Sequence, residues 1–338
     1  MAEQQTGQLG KFEKYLVEEF YDDYREGLIS RRTFIRRVAF ITGSMAAAAT
    51  AMLAVGCQPI EVPAATDPIP EAETPTTEPQ AEATEGAATA EVAEGAVPGA
   101  QSPLSVPEGD PDLETGDVTF TSGDAEITGY LARPAAEGTY AAVMVCHENR
   151  GLTPHIRDVA RRFAKAGYVA LALDLLSREG GTDTLDRDEV PGLLTNAGQE
   201  RHVGDFQSAL AYLQEQEFVE TERIGMNGYC FGGGVTWACA TAIPELKAAV
   251  PFYGPAPDLD QVPNIQAAVF GVYAEQDERI NAGIEPLEQA LQEAGVTYQI
   301  EIYPGVDHAF HNDTGERYNE EQALQAWEDM LAWFQEYL

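Results

Sequence analysis

The chain has 338 residues and a formal net charge of -36, from 56 acidic against 20 basic side chains. A surface that grips phosphate must be cationic, so this balance argues against nucleic acid and anionic lipid headgroups as partners. The first predicted element is a charged helical patch from Glu13 to Glu26, to which the sequence alone assigns no role. Ser30-Arg31-Arg32-Thr33-Phe34-Ile35-Arg36-Arg37 then reads as a twin-arginine export signal, expected to lie outside the fold. The Ala-rich stretch after it, Val38 to Gly56, is diluted by Thr, Gly and Ser where a stable membrane span would prefer Leu and Ile. An uncleaved anchor is the alternative reading of this segment.

Leu53-Ala54-Val55-Gly56-Cys57 is similar to a bacterial lipoprotein cleavage box. It predicts lipidation of Cys57 and attachment to the extracytoplasmic face of a membrane, with signal and lipid as the only membrane contacts. Residues 58–115 are rich in Ala, Glu, Pro and Thr, and no Lys or Arg occurs between Arg37 and Arg133. Such a segment cannot bury a core and is expected to be a disordered acidic tether. Residues 116–338 remain for a single α/β domain.

That domain opens with a predicted hairpin, Asp117 to Phe120 and Ile127 to Leu131. Short apolar runs follow near 141–146, 168–173, 222–227, 247–252, 267–273 and 297–303, as strands buried on both faces show. Helices near 155–166, 199–216, 232–242, 283–294 and 319–337 separate them, which predicts a mostly parallel sheet covered on both faces. Thr153 and Pro154 begin the helix that holds His155, and His202, beside Arg201 and Asp205, is expected on a helix surface.

The most informative stretch is Gly228-Tyr229-Cys230-Phe231-Gly232-Gly233, where a strand stops, turns around a cysteine and restarts as a helix. This is the nucleophile-elbow pattern G-x-S-x-G with Cys for Ser, and flanking glycines let strand and helix approach closely. A phosphate loop is the competing reading. No Lys-Ser or Lys-Thr follows the glycines, and the spacing does not fit G-x-G-x-x-G. In α/β-hydrolases the acid and the histidine follow the nucleophile at the ends of later strands. The strand near 267–273 leads to Asp277, and that near 297–303 leads to Asp307-His308. His308 would accept the thiol proton, while Asp277 would orient the imidazole and stabilise its cation. Asp307 and His311 are the nearby competitors. Adjacent loop side chains rarely converge on one ring, so Asp307 is expected to be solvated or capping, and His311 to stand behind the site. The early strand 141–146 ends in His147-Glu148-Asn149-Arg150-Gly151, so the oxyanion donors fall to the N–H groups of Phe231 and Asn149.

Over residues 116–338 the chain resembles the dienelactone hydrolase family. The resemblance is carried by His147-Glu148-Asn149-Arg150-Gly151, Leu173-Asp174-Leu175-Leu176-Ser177-Arg178, the cysteine elbow, Asp277 and Asp307-His308-Ala309-Phe310. It implies an α/β-hydrolase fold and a Cys-Asp-His triad of Cys230, Asp277 and His308. It also implies that Glu148 faces the thiol, where a carboxylate keeps the resting sulfur protonated and slow to oxidise. Of the two arginines the family uses on a substrate carboxylate, Arg178 matches one and Asn312 stands in place of the other. The expected substrate is an ester or lactone, anionic but held less firmly than a dienelactone. A broader carboxylester or thioester hydrolase, or a surface binding protein with a relic triad, are the alternatives.

Cys146 and Cys239 are expected to be buried in the core, with a disulfide between them left open, and His147 is a minor candidate for the site. No spacing of His, Cys and carboxylates suggests a zinc or iron site, and no cofactor is expected.

Overall fold

The structure is a computed structural model that describes residues 10–43, 48 and 95–338. Cys57 and the tether up to residue 94 lie outside the described residues. An eight-stranded sheet forms the centre, in the order β1-β2-β4-β3-β5-β6-β7-β8. Its strands are β1 (Leu113–Ser122), β2 (Ala125–Pro134), β3 (Tyr140–Cys146), β4 (Val169–Leu173), β5 (Val219–Tyr229), β6 (Ala248–Phe252), β7 (Ala268–Ala274) and β8 (Tyr298–Tyr303). The opening hairpin β1-β2 is antiparallel and joins β4 antiparallel. From β4 to β8 every pairing is parallel, with Met144 of β3 in register with Met226 of β5.

The parallel strands are continuous apolar runs because helices cover both faces. All seven residues of β7 and all five of β4 and β6 are buried. The covering helices are α3 (Pro154–Lys165), α4 (Val190–Ala197), α5 (Gln199–Gln214), α6 (Phe231–Ala242), α7 (Glu278–Asn281), α8 (Ile284–Ala294) and α9 (Glu320–Tyr337). The expected mostly parallel sheet with helices on both faces is what forms. Short α4 has no counterpart among the sequence expectations, since Pro191 and Gly192 near its start are poor helix formers.

Two sequence expectations need correction, and one question left open by the sequence is answered. Residues 95–112, assigned by composition to the tether, lie against the domain: Val97 and Val106 are buried, the Val106 N–H donates to Asp158, and Arg161 donates to the Val106 carbonyl. The expected signal segment is also docked. Helices α1 (Lys11–Arg25) and α2 (Arg31–Thr42) pack on each other and on the domain, with Leu16, Val17, Phe20, Phe34, Val38 and Ile41 buried beside Tyr273, Ile280 and Ile284. Cys146 and Cys239 are free and buried, so no disulfide joins them.

Candidate active site

Cys230 sits between β5 and α6 with φ 58° and ψ -118°, a left-handed backbone that a non-glycine residue adopts only under constraint. Its N–H donates to the Phe252 carbonyl at 3.0 Å, which ties the turn to β6. The flanking glycines are required by contact. A Cβ on Gly228 would lie 2.2 Å from the Gly232 carbonyl oxygen, and one on Gly232 would lie 2.5 Å from the carbonyl oxygens of Cys146 and His147. The thiol therefore stands at the carboxyl end of the sheet, with the amino terminus of α6 behind it.

Asp277 follows β7 and caps α7, accepting the Ile280 N–H on Oδ1 at 3.3 Å. Its other oxygen, Oδ2, is 2.5 Å from Nδ1 of His308, which lies past β8 next to left-handed Ala309. Burial would raise the Asp277 carboxyl, but the neighbouring imidazole, Arg279 and the Ile280 N–H together outweigh it and hold the group below the usual carboxylate range. Burial would likewise lower His308, and Asp277 together with the sulfur overcomes it, holding the ring well above its ordinary value. One nitrogen of His308 and the sulfur of Cys230 lie within 4.8 Å of each other. Asp307 accepts the backbone N–H of His308 at 2.6 Å and thus caps the loop, while His311 is buried against Tyr229 at 5.1 Å between ring centres.

The carboxylate against the thiol comes from outside the expected set. The Cys230 thiol donates to Glu19 of α1, with Sγ 3.4 Å from Oε1 and 3.5 Å from Oε2, and the Tyr15 hydroxyl is 3.4 Å from the same sulfur. Glu19 also accepts from Asn149 Nδ2 at 2.7 Å and lies 4.0 Å from His308 Nε2. Burial raises the thiol above its ordinary value, and Glu19 raises it further. Glu148 was expected in this place. Its carboxylate instead accepts from Asn312 Nδ2 at 2.7 Å, and its charge acts on the sulfur less than that of Glu19 does. Glu19, Cys230 and His308 together offer oxygen, sulfur and nitrogen within 4.8 Å, a set that could hold a metal ion. Spacing along the chain could not reveal it, because Glu19 and Cys230 are 211 positions apart.

Other sequence candidates are set around this centre. The Arg178 guanidinium is held by Asp205 at 2.7 Å and by the Ser122 carbonyl at 3.1 Å, at the end of β1. His147 is fully buried, contacts its neighbour's carbonyl through Nδ1 and accepts the Leu175 N–H on Nε2, with its ring stacked on Phe231. His202 is buried and not on a helix surface. Its Nε2 donates to the Leu194 carbonyl at 2.8 Å, its ring meets Phe231 edge-on, and burial pushes its pKa down to about 4. His155 is buried too, 2.9 Å from Asp313.

The family profile described as the dienelactone hydrolase family matches residues 127–338. The chain belongs to that family. A Methylorubrum extorquens protein described as "Putative carboxymethylenebutenolidase" is 33% identical over 238 residues, covering 67% of this chain and 82% of its own. A Synechocystis protein of the same description is 34% identical, covering 66% and 97%. The crystal structure titled "Putative Dienelactone Hydrolase" from Klebsiella pneumoniae superposes with a TM-score of 0.62 at 32% identity, over 67% of this chain and 99% of that one. Like other dienelactone hydrolase family members, the chain is a hydrolase of carboxylic esters, built on the α/β-hydrolase fold.

Proposed function

We propose that the chain cleaves a small ester or lactone through a covalent acyl-cysteine, with Cys230 as nucleophile, His308 as general base and Asp277 as its orienting acid. The observation that carries this reading is the elbow thiol at φ 58° beside a buried imidazole whose far nitrogen is fixed by Asp277 at 2.5 Å. In the acylation step His308 takes the thiol proton and the sulfur bonds to the carbonyl carbon. The oxyanion would be met by N–H groups of Phe231 and Asn149, and collapse releases the alkoxide, which takes the proton from His308. Water then attacks the thioester, His308 accepting its proton and returning it to the sulfur as the acid leaves. For a lactone, alcohol and acid remain in one product.

The expected test is Cys230→Ala in a chain that still shows the far-ultraviolet dichroism of the parent, measured with the parent and with a Glu19→Ala background. Turnover is expected to fall by about four orders of magnitude, since triad members act as a unit. An acyl adduct should appear by mass spectrometry on Cys230 with an activated ester. Residual turnover above about a hundredth of the parent rate would remove the nucleophile assignment.

The same proposal extends to location: export by the twin-arginine route and a lipid anchor at Cys57, supported by the sequence from Ser30 to Arg37 and by the motif ending at Cys57. Bacterial lipoproteins carry more than one acyl chain, which is enough for stable attachment. Wild-type protein found wholly soluble after export would exclude lipidation. Cys57→Ala should leave the chain soluble or retained by its unprocessed signal.

A further inference from the structure

We infer that α1 is an internal, displaceable ligand of the active site: Glu19 holds the place of a substrate acyl group against Cys230, and the domain's arginines grip the helix by its acidic face. The inference rests on the reading of Cys230 as nucleophile. It makes the intact chain a closed enzyme, opened when residues 10–43 leave.

A helix on a protein surface ordinarily turns an apolar stripe inward. On α1 the residues facing the site are Tyr15, Glu19 and Asp23, at i, i+4 and i+8, and they are only 5%, 6% and 6% exposed. A buried carboxylate is tolerated only when paired. The domain supplies the partners: Asn149 for Glu19, and Arg317 for Asp23 at 3.0 Å and for Glu26 at 2.6 Å. Arg279, two places after Asp277, lies over the Tyr15 ring at 4.5 Å and faces Asp22 and Glu19 at 3.7 and 3.9 Å.

Glu19 lies against two groups that an acyl substrate must reach, the thiol at 3.4 Å and the imidazole at 4.0 Å, and also takes the side-chain amide of Asn149. The closed arrangement disables the nucleophile, because a carboxylate beside the thiol disfavours the thiolate. Substrate and Glu19 therefore exclude each other.

The cover is separable from what it covers. The main core runs from Phe120 to Leu338, whereas α1 and α2 share a second cluster that meets the domain at Tyr273, Ile280 and Ile284. Arg36 of α2 is half exposed and pairs weakly with exposed Asp186 and partly exposed Asp188, while buried Arg37 adds one pair to Asp188 at 3.3 Å. Arg31 and Arg32 of the twin-arginine motif are exposed, whereas its Phe34 is buried against Tyr24 of α1. Because both helices precede Cys57, processing there would carry Glu19 away with the signal.

Uncovering also defines what the open site selects. Arg279 Nε and Nη1 are buried without a hydrogen-bond acceptor, and the α1 carboxylates stop short of ideal distance. A carboxylate on a small substrate can close that gap, so Arg279 is a specificity residue for an anionic ester.

The test uses the full chain with a protease site inserted between residues 60 and 90, compared before and after cutting. Two rates are read: alkylation of Cys230 by iodoacetamide, resolved by mass spectrometry, and hydrolysis of the mono-p-nitrophenyl ester of glutarate. Cutting and a salt wash should raise both at least about tenfold, the factor that one unit of thiol pKa represents. A peptide of residues 10–26 should restore the slow rates, and the same peptide carrying Glu19→Ala should not. Equal alkylation before and after the cut, with turnover in both, overturns the internal ligand and leaves the hydrolase reading intact. Faster alkylation after the cut without turnover of any ester overturns the hydrolase reading and keeps the cover.

Discussion

Glu19 of α1 and Cys230 of the elbow are 211 positions apart in the chain, and the thiol donates to the carboxylate at 3.4 Å. The contact brings a charge from a segment that precedes the expected cleavage point into the centre of the domain. It also reassigns the guard over the thiol. Asn312 draws the Glu148 carboxylate to itself at 2.7 Å.

Glu19→Gln and Glu148→Gln should therefore differ. In the intact chain Glu19→Gln is expected to lower the thiol pKa and speed alkylation of Cys230 several-fold to tenfold, as loss of an adjacent like charge does. Glu148→Gln should change it by less than about twofold, because Glu148 ranks behind Glu19 in its effect on the sulfur. Iodoacetamide rates across pH 6 to 9 check this, and a larger effect from Glu148→Gln would return the guard role to Glu148.

His202 gives the acid limb of stability. Its folded pKa is pushed down to about 4 by burial, against an ordinary value near 6.5, so the unfolded chain binds the proton first as pH falls. Stability that is present above pH 6.5 is lost between about 6.5 and 4, by up to roughly 3 kcal/mol. His202→Gln, which keeps a donor for the Leu194 carbonyl, should flatten that limb in urea titrations at pH 7 and pH 5. An unchanged slope would mean that His202 titrates normally in the fold.

Gly232→Ala tests the elbow. The added Cβ would sit 2.5 Å from two backbone carbonyl oxygens at the end of β3, and backbone cannot rotate away as a side chain can. A loss of about 1–3 kcal/mol is expected from overpacking alone. Displacement of the thiol should reduce turnover further. The midpoint of guanidinium unfolding measures the first effect, and turnover at matched folded fraction the second.

The expected strands end within about three residues of the observed ones because each is an apolar run closed by a turn or a charged residue. Cys230, Asp277 and His308 were legible for the same reason: each follows a strand whose boundary the sequence marks. Glu19 was not. A helix bearing Glu18, Glu19, Asp22, Asp23 and Glu26 reads as a solvated face, and only the placement of Arg279 and Arg317, more than 250 positions later, makes it an inward one. His202 was misplaced by its neighbours. Arg201 and Asp205 suggest a wet surface, but Asp205 is itself buried under Arg178 and Ser122. Short-range pattern records the period of an element, not the partner that covers it.

The two arginines near the chemistry should separate by function. Arg178 is paired with Asp205, which is fully buried, and with a backbone carbonyl. Arg178→Gln leaves that carboxylate without its cation, a change expected to cost about 3 kcal/mol or more in stability. The preference for an anionic ester over its neutral isostere should then change little, because the guanidinium is already committed. Arg279→Gln should do the reverse in a chain freed of α1. Its guanidinium has two donors, Nε and Nη1, without a hydrogen-bond acceptor, and a charge-assisted fork on a carboxylate contributes about tenfold or more in affinity. The effect should appear in KM for the anionic ester with kcat nearly unchanged, since a remote carboxylate is bound alike in ground and transition states. Measuring kcat/KM for mono-p-nitrophenyl glutarate and p-nitrophenyl butyrate on both variants decides between them. If Arg178→Gln erases the preference while Arg279→Gln leaves it, the substrate carboxylate sits at the β1 edge, and Asp205 must release its arginine when substrate binds.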